Sequence, residues 1–407
     1  MTAHKGSFFK TMEKCARCGQ CRSVCPVFAR TLDERFVARA RVTLAESYIK
    51  GGAFKTADLA KLASTCIKCS RCSWVCPSGV MGDEVTMGLA AELAKRTDKP
   101  VIRAFFRTVV MNRPLFDVFI AGAAAAQKAM KPRRDGVLRH LPLAVMGKTE
   151  LPLISGQSAL QTLKRHRKGT GSGTVALFLG CAINYAYPRT AQAMSDVLNA
   201  AGYSVVVPRD QLCCGTPALT MGLAREARDI AKRNCRVLLE SKADFVVTGC
   251  ASCALTLRRN YPDILDTPLK PRVFEFTEFL IEQDALPKHS PFDGRRPRVA
   301  YHDPCHLRYG LKISDQPRAA IRACADLIPT ADEDKCCGGG GSFAFFNPEL
   351  SSELALIKVK GIASAAPEAV ATTCPGCMMQ LREHLHRDGV SIPVVHVADL
   401  LVGRIAE

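Results

Sequence analysis

Two stretches of the 407-residue chain place four cysteines at one spacing: Cys15-Ala-Arg-Cys18-Gly-Gln-Cys21-Arg-Ser-Val-Cys25-Pro26 and Cys66-Ile-Lys-Cys69-Ser-Arg-Cys72-Ser-Trp-Val-Cys76-Pro77. Thiolates are soft, strong metal ligands, and cysteines gathered this closely in a chain without disulfide-scaffold size are placed for metal. Three thiolates two residues apart wrap three irons of one cubane cluster, and a fourth cysteine held before proline turns away toward a second cube. Zinc needs four ligands and gains nothing from a third close cysteine followed by Cys-Pro. The chemistry these residues point to is single-electron transfer through two [4Fe–4S] clusters, and no residue is assigned a catalytic role.

Ten further cysteines form two copies of one order. The first is Cys181, Cys213-Cys214-Gly215 and Cys250-Ala-Ser-Cys253; the second is Cys305, Cys336-Cys337-Gly338 and Cys374-Pro-Gly-Cys377, with gaps that match to within a residue. Such self-similarity marks an internal duplication. Five cysteines per copy is one more than a cubane cluster needs, so ligand counting leaves open one cluster, one zinc or no metal in each. Cys235 and Cys324 match neither copy and sit in apolar-patterned helical stretches, where a buried structural thiol is expected. His302 and His306 flank Cys305 and read as strand-end residues satisfied by backbone, with tuning of a nearby cluster as the competing role. Gly338 to Gly341 lacks the Lys-Ser/Thr of a phosphate loop and reads as close backbone approach to a cluster.

The elements that must position these groups follow from local pattern. Short β-rich runs at 175–179, 245–248, 299–301 and 369–373 lead into Cys181, Cys250, Cys305 and Cys374, so the ligands fall at carboxyl ends of strands. Helical stretches at 189–201 and 223–241 alternate with them, giving each copy a mainly parallel α/β sheet whose crevice beyond the strand ends receives ligands. The segment between the first two cysteine runs reads as helix over 36–49. The expected organisation is therefore multidomain: a helical two-cluster domain over residues 1–99, a basic and partly helical connector over 100–173, and two cysteine-rich α/β repeats over 174–290 and 291–407.

Lysine and arginine outnumber aspartate and glutamate by 56 to 38, a formal charge of +18 that bound anionic clusters would partly cancel. The excess is densest from Lys128 to Lys168, in Lys131, Arg133, Arg134, Arg139, Lys164, Arg165, Arg167 and Lys168. It reads as a solvated linker or a contact for anionic lipid or an acidic partner. No aromatic platform accompanies it, so nucleic acid is not an expected partner. The chain opens Met-Thr-Ala-His-Lys rather than with a secretory signal, and twenty cysteines without staple-sized domains fit a reducing cytoplasm. The best apolar run, 114–126, is short and interrupted by Asp117, so peripheral contact with the inner face of the cytoplasmic membrane is the membrane option retained. A helix over 101–130, with Phe105, Phe106, Val109, Val110, Leu115, Phe116, Phe119 and Ile120 at helical spacing, is expected to pack on its own domain.

Both cysteine runs match the spacing of bacterial ferredoxins. The resemblance implies crossed ligation: Cys15, Cys18, Cys21 and Cys76 on one cluster, and Cys66, Cys69, Cys72 and Cys25 on the other. The long separation between runs resembles the helical ferredoxin domains of respiratory enzymes. The duplicated region resembles the cysteine-rich CCG domain of heterodisulfide reductases and of the iron–sulfur subunits of glycolate and D-lactate oxidases. Cys76-Pro-Ser-Gly-Val80, Asp303-Pro-Cys-His-Leu307 and Cys336-Cys-Gly-Gly-Gly-Gly341 look most like the oxidase branch. This resemblance implies an FAD-binding dehydrogenase partner, a quinone or cytochrome acceptor, and a further iron–sulfur cluster, non-cubane in the reductase relatives, in each repeat. A heterodisulfide-reductase-like role, in which clusters in the repeats reduce a disulfide, is the alternative it leaves standing.

Overall fold

The computed structural model describes residues 9–97, 99–129 and 154–406. The basic residues Lys131, Arg133, Arg134 and Arg139, and with them much of the expected linker, lie outside the described residues. In the N-terminal region the described residues form short helices and no strand. The helix expected over 36–49 occupies Ala38–Ile49 after a 3-10 turn at Glu34–Phe36, and it packs against Gly82–Ala94 and Thr56–Ser64. Val42, Ala45, Leu59, Leu62, Val85 and Leu89 fill that small core. Arg41, though buried, is satisfied: its guanidinium donates to the Leu62 and Thr65 carbonyls at 3.3 and 2.9 Å, capping the helix that delivers Cys66.

The duplicated region forms two sheets. The first has the order β1-β3-β2-β4-β5, with β1 His166–Arg167, β2 Thr174–Leu177, β3 Ser204–Val206, β4 Phe245–Thr248 and β5 Arg272–Glu275. The second has the order β7-β6-β8-β9, with β6 Arg298–Tyr301, β7 Asp326–Ile328, β8 Ala369–Thr372 and β9 Val394–His396. All pairs are parallel except β1 with β3, so each repeat carries the same four-stranded parallel order and the first adds an antiparallel edge. That edge strand comes from the basic connector segment. The central strands read as continuous apolar runs because helices such as Pro188–Ala200 and Ala224–Glu240 cover the sheet faces.

The helix expected over 101–130 is not continuous. Pro100–Ala104 widens into a π-turn at Phe105–Val110, and a new helix, Arg113–Ala129, departs at 109°. The break has a local cause: Pro114 offers no amide to the preceding turn, and the Asn112 side chain restarts the helix by accepting from Leu115 N at 3.2 Å. One face packs on the first repeat, rather than within the connector, through Phe106, Val110 and the Phe116–Tyr185 edge contact. The other leaves Val101, Val118 and Phe119 at 79, 68 and 50 % exposure. Among the described residues no single helix is long and apolar enough to cross a membrane; the bent pair reaches that length and composition only together.

The N-terminal region docks on both repeats. Arg259, from the first repeat, donates to Glu84 at 2.6 Å and to Asp83 at 2.8 Å, and both carboxylates are buried. Asp83 in turn accepts from Ser70, between Cys69 and Arg71, at 2.7 Å. Burial would push the Asp83 carboxyl up, but the Arg259 charge and the Ser73 and Ser70 hydroxyls hold it below its ordinary range. Toward the second repeat, Arg71 donates to the Tyr309 hydroxyl at 2.8 Å and stacks on its ring.

Candidate metal centres

The two N-terminal runs share one backbone conformation. Arg17 and Gly19 flank Cys18 at φ 56° and 87°, and Lys68 and Ser70 flank Cys69 at 57° and 61°. Left-handed backbone at non-glycine residues costs about 1–2 kcal/mol each, and its repetition at equivalent positions marks loops curled around an occupant. Cys15, Cys18, Cys21 and Cys76 line one cavity, which Cys72 also borders. Cys25 lies instead beside Cys66 and packs in a cluster with Cys69 and Ile67. The fourth cysteine of each run therefore lies near cysteines of the other run.

In each repeat the cysteines arrive from three places: the loop after the first central strand, the Cys-Cys-Gly turn, and the strand-to-helix corner at Cys250 or Cys374. Gly215 and Gly338 adopt φ 87° and 80° and turn their amides onto Cys213 Sγ at 3.4 Å and Cys336 Sγ at 3.3 Å. This is the physical requirement behind the Cys-Cys-Gly sequence. Alanine at either position should cost about 1–2 kcal/mol for its backbone alone. A Cβ on Gly338 would also lie 2.4 Å from the Ser351 carbonyl, whereas on Gly215 it meets only Ile230 at 3.4 Å. Gly338→Ala is therefore expected to destabilise by about 1–3 kcal/mol more than Gly215→Ala, read by chemical denaturation of the anaerobic holoprotein. The glycines that follow also approach the N-terminal region: a Cβ on Gly340 would lie 2.8 Å from Ile67, next to Cys66.

The ten repeat cysteines form one continuous line of thiols. Cys337 donates to Cys377 at 3.4 Å, and Cys250 of the first repeat hydrogen-bonds Cys374 of the second. Hydrogen bonds from neighbouring thiols hold Cys181, Cys214, Cys336 and Cys374 low, while the matching bonds push Cys213, Cys253, Cys305, Cys337 and Cys377 up. Buried thiols this close cannot all ionise against one another, and a bound cation is what would let them. The donor set fits an iron–sulfur or zinc group in each repeat. Cys305, Cys336, Cys337, Cys374 and Cys377 also line a cavity of about 540 Å³ with Cys181, Ser252 and His306, and with Phe116 and Ile120 of Arg113–Ala129.

His306 behaves as expected of a residue satisfied by backbone: Nε2 lies 3.1 Å from the Lys68 carbonyl, and Nδ1 lies 2.8 Å from Ser252 Oγ. It therefore joins the second cysteine run to both repeats. His302 does not behave so. Its ring is buried, neither nitrogen has a hydrogen-bond partner among the described residues, and burial pushes its pKa down to about 4. Cys324 is buried, as expected of a structural thiol, but Cys235 is only half-buried, because its face of Ala224–Glu240 lies at the edge of the core. Burial still raises the Cys235 thiol to about 11, which keeps it protonated. Arg259, Asp83 and Ser70 had no distinguishing local signal in the sequence.

Cysteine loops of ferredoxin form beside two strand-end cysteine centres define the class: an iron–sulfur protein with a dicluster domain and a duplicated cysteine-rich domain. A 4Fe-4S dicluster domain model matches residues 11–80, and a cysteine-rich (CCG) domain model matches 175–258 and again 299–382. The chain is 30 % identical over 238 residues to lactate utilization protein A of Exiguobacterium sp., covering 56 % of this chain and 96 % of that protein. To the probable glycolate oxidase iron-sulfur subunit of Bacillus subtilis it is 26 % identical over 416 residues, 95 % of this chain and 93 % of that one. To a fumarate reductase (CoM/CoB) subunit of Methanothermobacter marburgensis it is 31 % identical over 230 residues, 56 % of this chain and 45 % of that one. The chain spans about half the length of this and of other curated relatives it matches. It belongs to the family of iron–sulfur proteins that includes lactate utilization protein A and the glycolate oxidase iron–sulfur subunit.

Proposed function

We infer that the chain is a relay subunit, taking single electrons from an FAD-binding partner that oxidises a 2-hydroxy acid, glycolate or lactate, and delivering them to a quinone or another membrane-side acceptor. The observation that carries this reading is the contact of the second cysteine run with the second repeat. Cys69 and Ile67 pack with Cys336, Phe343 and Leu354, with Cys25 and Cys305 beside them, so the line of thiols continues from the N-terminal region into both repeats. We read residues 1–99 as a helical ferredoxin domain, 100–173 as its connector, and 174–290 and 291–407 as the repeats. Cys15, Cys18, Cys21 and Cys76 would hold one [4Fe–4S] cluster and Cys66, Cys69, Cys72 and Cys25 the other. Cys181, Cys213, Cys214, Cys250 and Cys253, and Cys305, Cys336, Cys337, Cys374 and Cys377, would hold one group per repeat. Such clusters supply reversible one-electron redox change at potentials set by burial and hydrogen bonds.

The chain's own part is to hold these sites close, dry and fixed. His306 and Arg71 tie the Cys69 loop to the second repeat, and Gly340 lets the two backbones approach. The exposed Val101, Val118 and Phe119, with Arg103 and Arg107 nearby in sequence, form the face that would meet a membrane surface at the inner leaflet. Anaerobic mixing with the flavoprotein subunit and D-lactate or glycolate is expected to bleach the cubane absorption; bleaching by neither acid would contradict this reading. The second reading, disulfide reduction, draws support from the 540 Å³ cavity lined by cysteines of both repeats. It predicts thiol release from a small mixed disulfide by the reduced protein.

A further inference from the structure

The two repeats differ at one buried position that faces the metal-binding thiols. The matched segments 175–258 and 299–382 align Cys181 with Cys305, and the same alignment sets Phe178 against His302. Both follow the central strand of their sheet, both are buried, and the backbone amide of each donates to the neighbouring strand, at 2.8 Å to Val247 and 2.9 Å to Ala371. A phenyl ring there needs no partner. An imidazole does, because burying a polar group without a hydrogen bond is unfavourable, and such orphans call for an explanation in an absent ion or ligand. The nearest candidate is at hand: a ring nitrogen of His302 and the sulfurs of Cys337 and Cys377 all lie within 4.8 Å of one another.

We propose that His302 is a nitrogen ligand of the metal group in the second repeat, beside Cys337 and Cys377, so that the first repeat holds a thiolate-only centre and the second a mixed one. The inference rests on the reading that each repeat holds a metal group, and goes beyond it in making the two unlike. With His302 in one of the ligand positions, one of the five second-repeat thiolates is left unbound; a neutral imidazole in its place makes the centre less negative, and such replacement raises the reduction potential of iron–sulfur centres. The second-repeat group, nearest the Cys69 loop, would then be the better electron acceptor of the two.

The test uses the full chain, purified anaerobically, with its iron and zinc counted and its metal release to a chelator followed in time. His302→Phe installs the residue that the first repeat already buries at this position, so the fold is expected to persist. One centre should then release its metal about tenfold faster or more, with the others unchanged. His302→Cys, which restores a ligand, should slow release again and lower that centre's midpoint potential. Wild-type release and potential in both variants would overturn the proposal while leaving metal in the repeats. A wild-type chain with about eight irons and no zinc would overturn it by removing the reading on which it rests.

Discussion

Replacing Cys25 with alanine is expected to abolish the cluster of the other cysteine run, the one read on Cys66, Cys69 and Cys72, and to leave that of Cys15, Cys18 and Cys21 in place. Cys25 belongs to the first run in sequence, but its side chain packs with Ile67 and Cys69 of the second. Cys76, with Cys72 at the border, shares a cavity with Cys15, Cys18 and Cys21. The cause is the proline that follows each fourth cysteine. Pro26 opens the helix Pro26–Thr31, so Cys25 is held extended, at φ −76° and ψ 113°, and turns away from its own loop. Each substitution should remove about four irons per chain. EPR of the dithionite-reduced variants distinguishes them: Cys25→Ala and Cys76→Ala should lose different signals, and each should lose the same signal as a variant of the opposite run. Loss of the signal belonging to Cys18→Ala in the Cys25 variant would refute crossed ligation.

The second large effect is expected at Arg259. Its guanidinium pairs with two buried carboxylates, Asp83 and Glu84, which come from the N-terminal region while Arg259 belongs to the first repeat. Removing one member of a buried ion network leaves the others unpaired, at a cost of about 3–5 kcal/mol. Arg259→Met should therefore destabilise the docked N-terminal region by this order, shown as faster limited proteolysis of residues 9–97 and a lower denaturation midpoint. Because Asp83 also fixes Ser70, the Cys69 loop should loosen with it. Adding Asp83→Asn and Glu84→Gln to Arg259→Met should recover much of the loss. Equal stability of the single variant and the wild type would show that the network is dispensable.

The sequence exposed what depends on local pattern. Cysteine spacing located the thiols that lie together, the duplication predicted two equivalent parallel sheets, and strand runs placed Cys250 and Cys374 at strand ends. Relations that arise only on packing were hidden. Nothing near His302 distinguishes an imidazole satisfied by backbone, as at His306, from one facing thiols with no partner; the second repeat's interior decides it. The Arg259 network joins residues about 175 positions apart, and no periodicity reports such a pair. The broken helix at Asn112 was nearer to legible: Asn-Arg-Pro is a restart signal, but the apolar residues on both sides keep helical spacing and mask it.

Electron passage between the N-terminal clusters and metal groups of the repeats is proposed to run through the Cys69–Cys336 contact. It is tested most directly by EPR during stepwise reduction of the anaerobic full chain, alongside iron and acid-labile sulfide analysis. More than about eight irons per chain are expected, with a cubane signal that broadens by magnetic interaction as the second-repeat group becomes paramagnetic. About eight irons, with two cubane signals that titrate independently of any third centre, would contradict it.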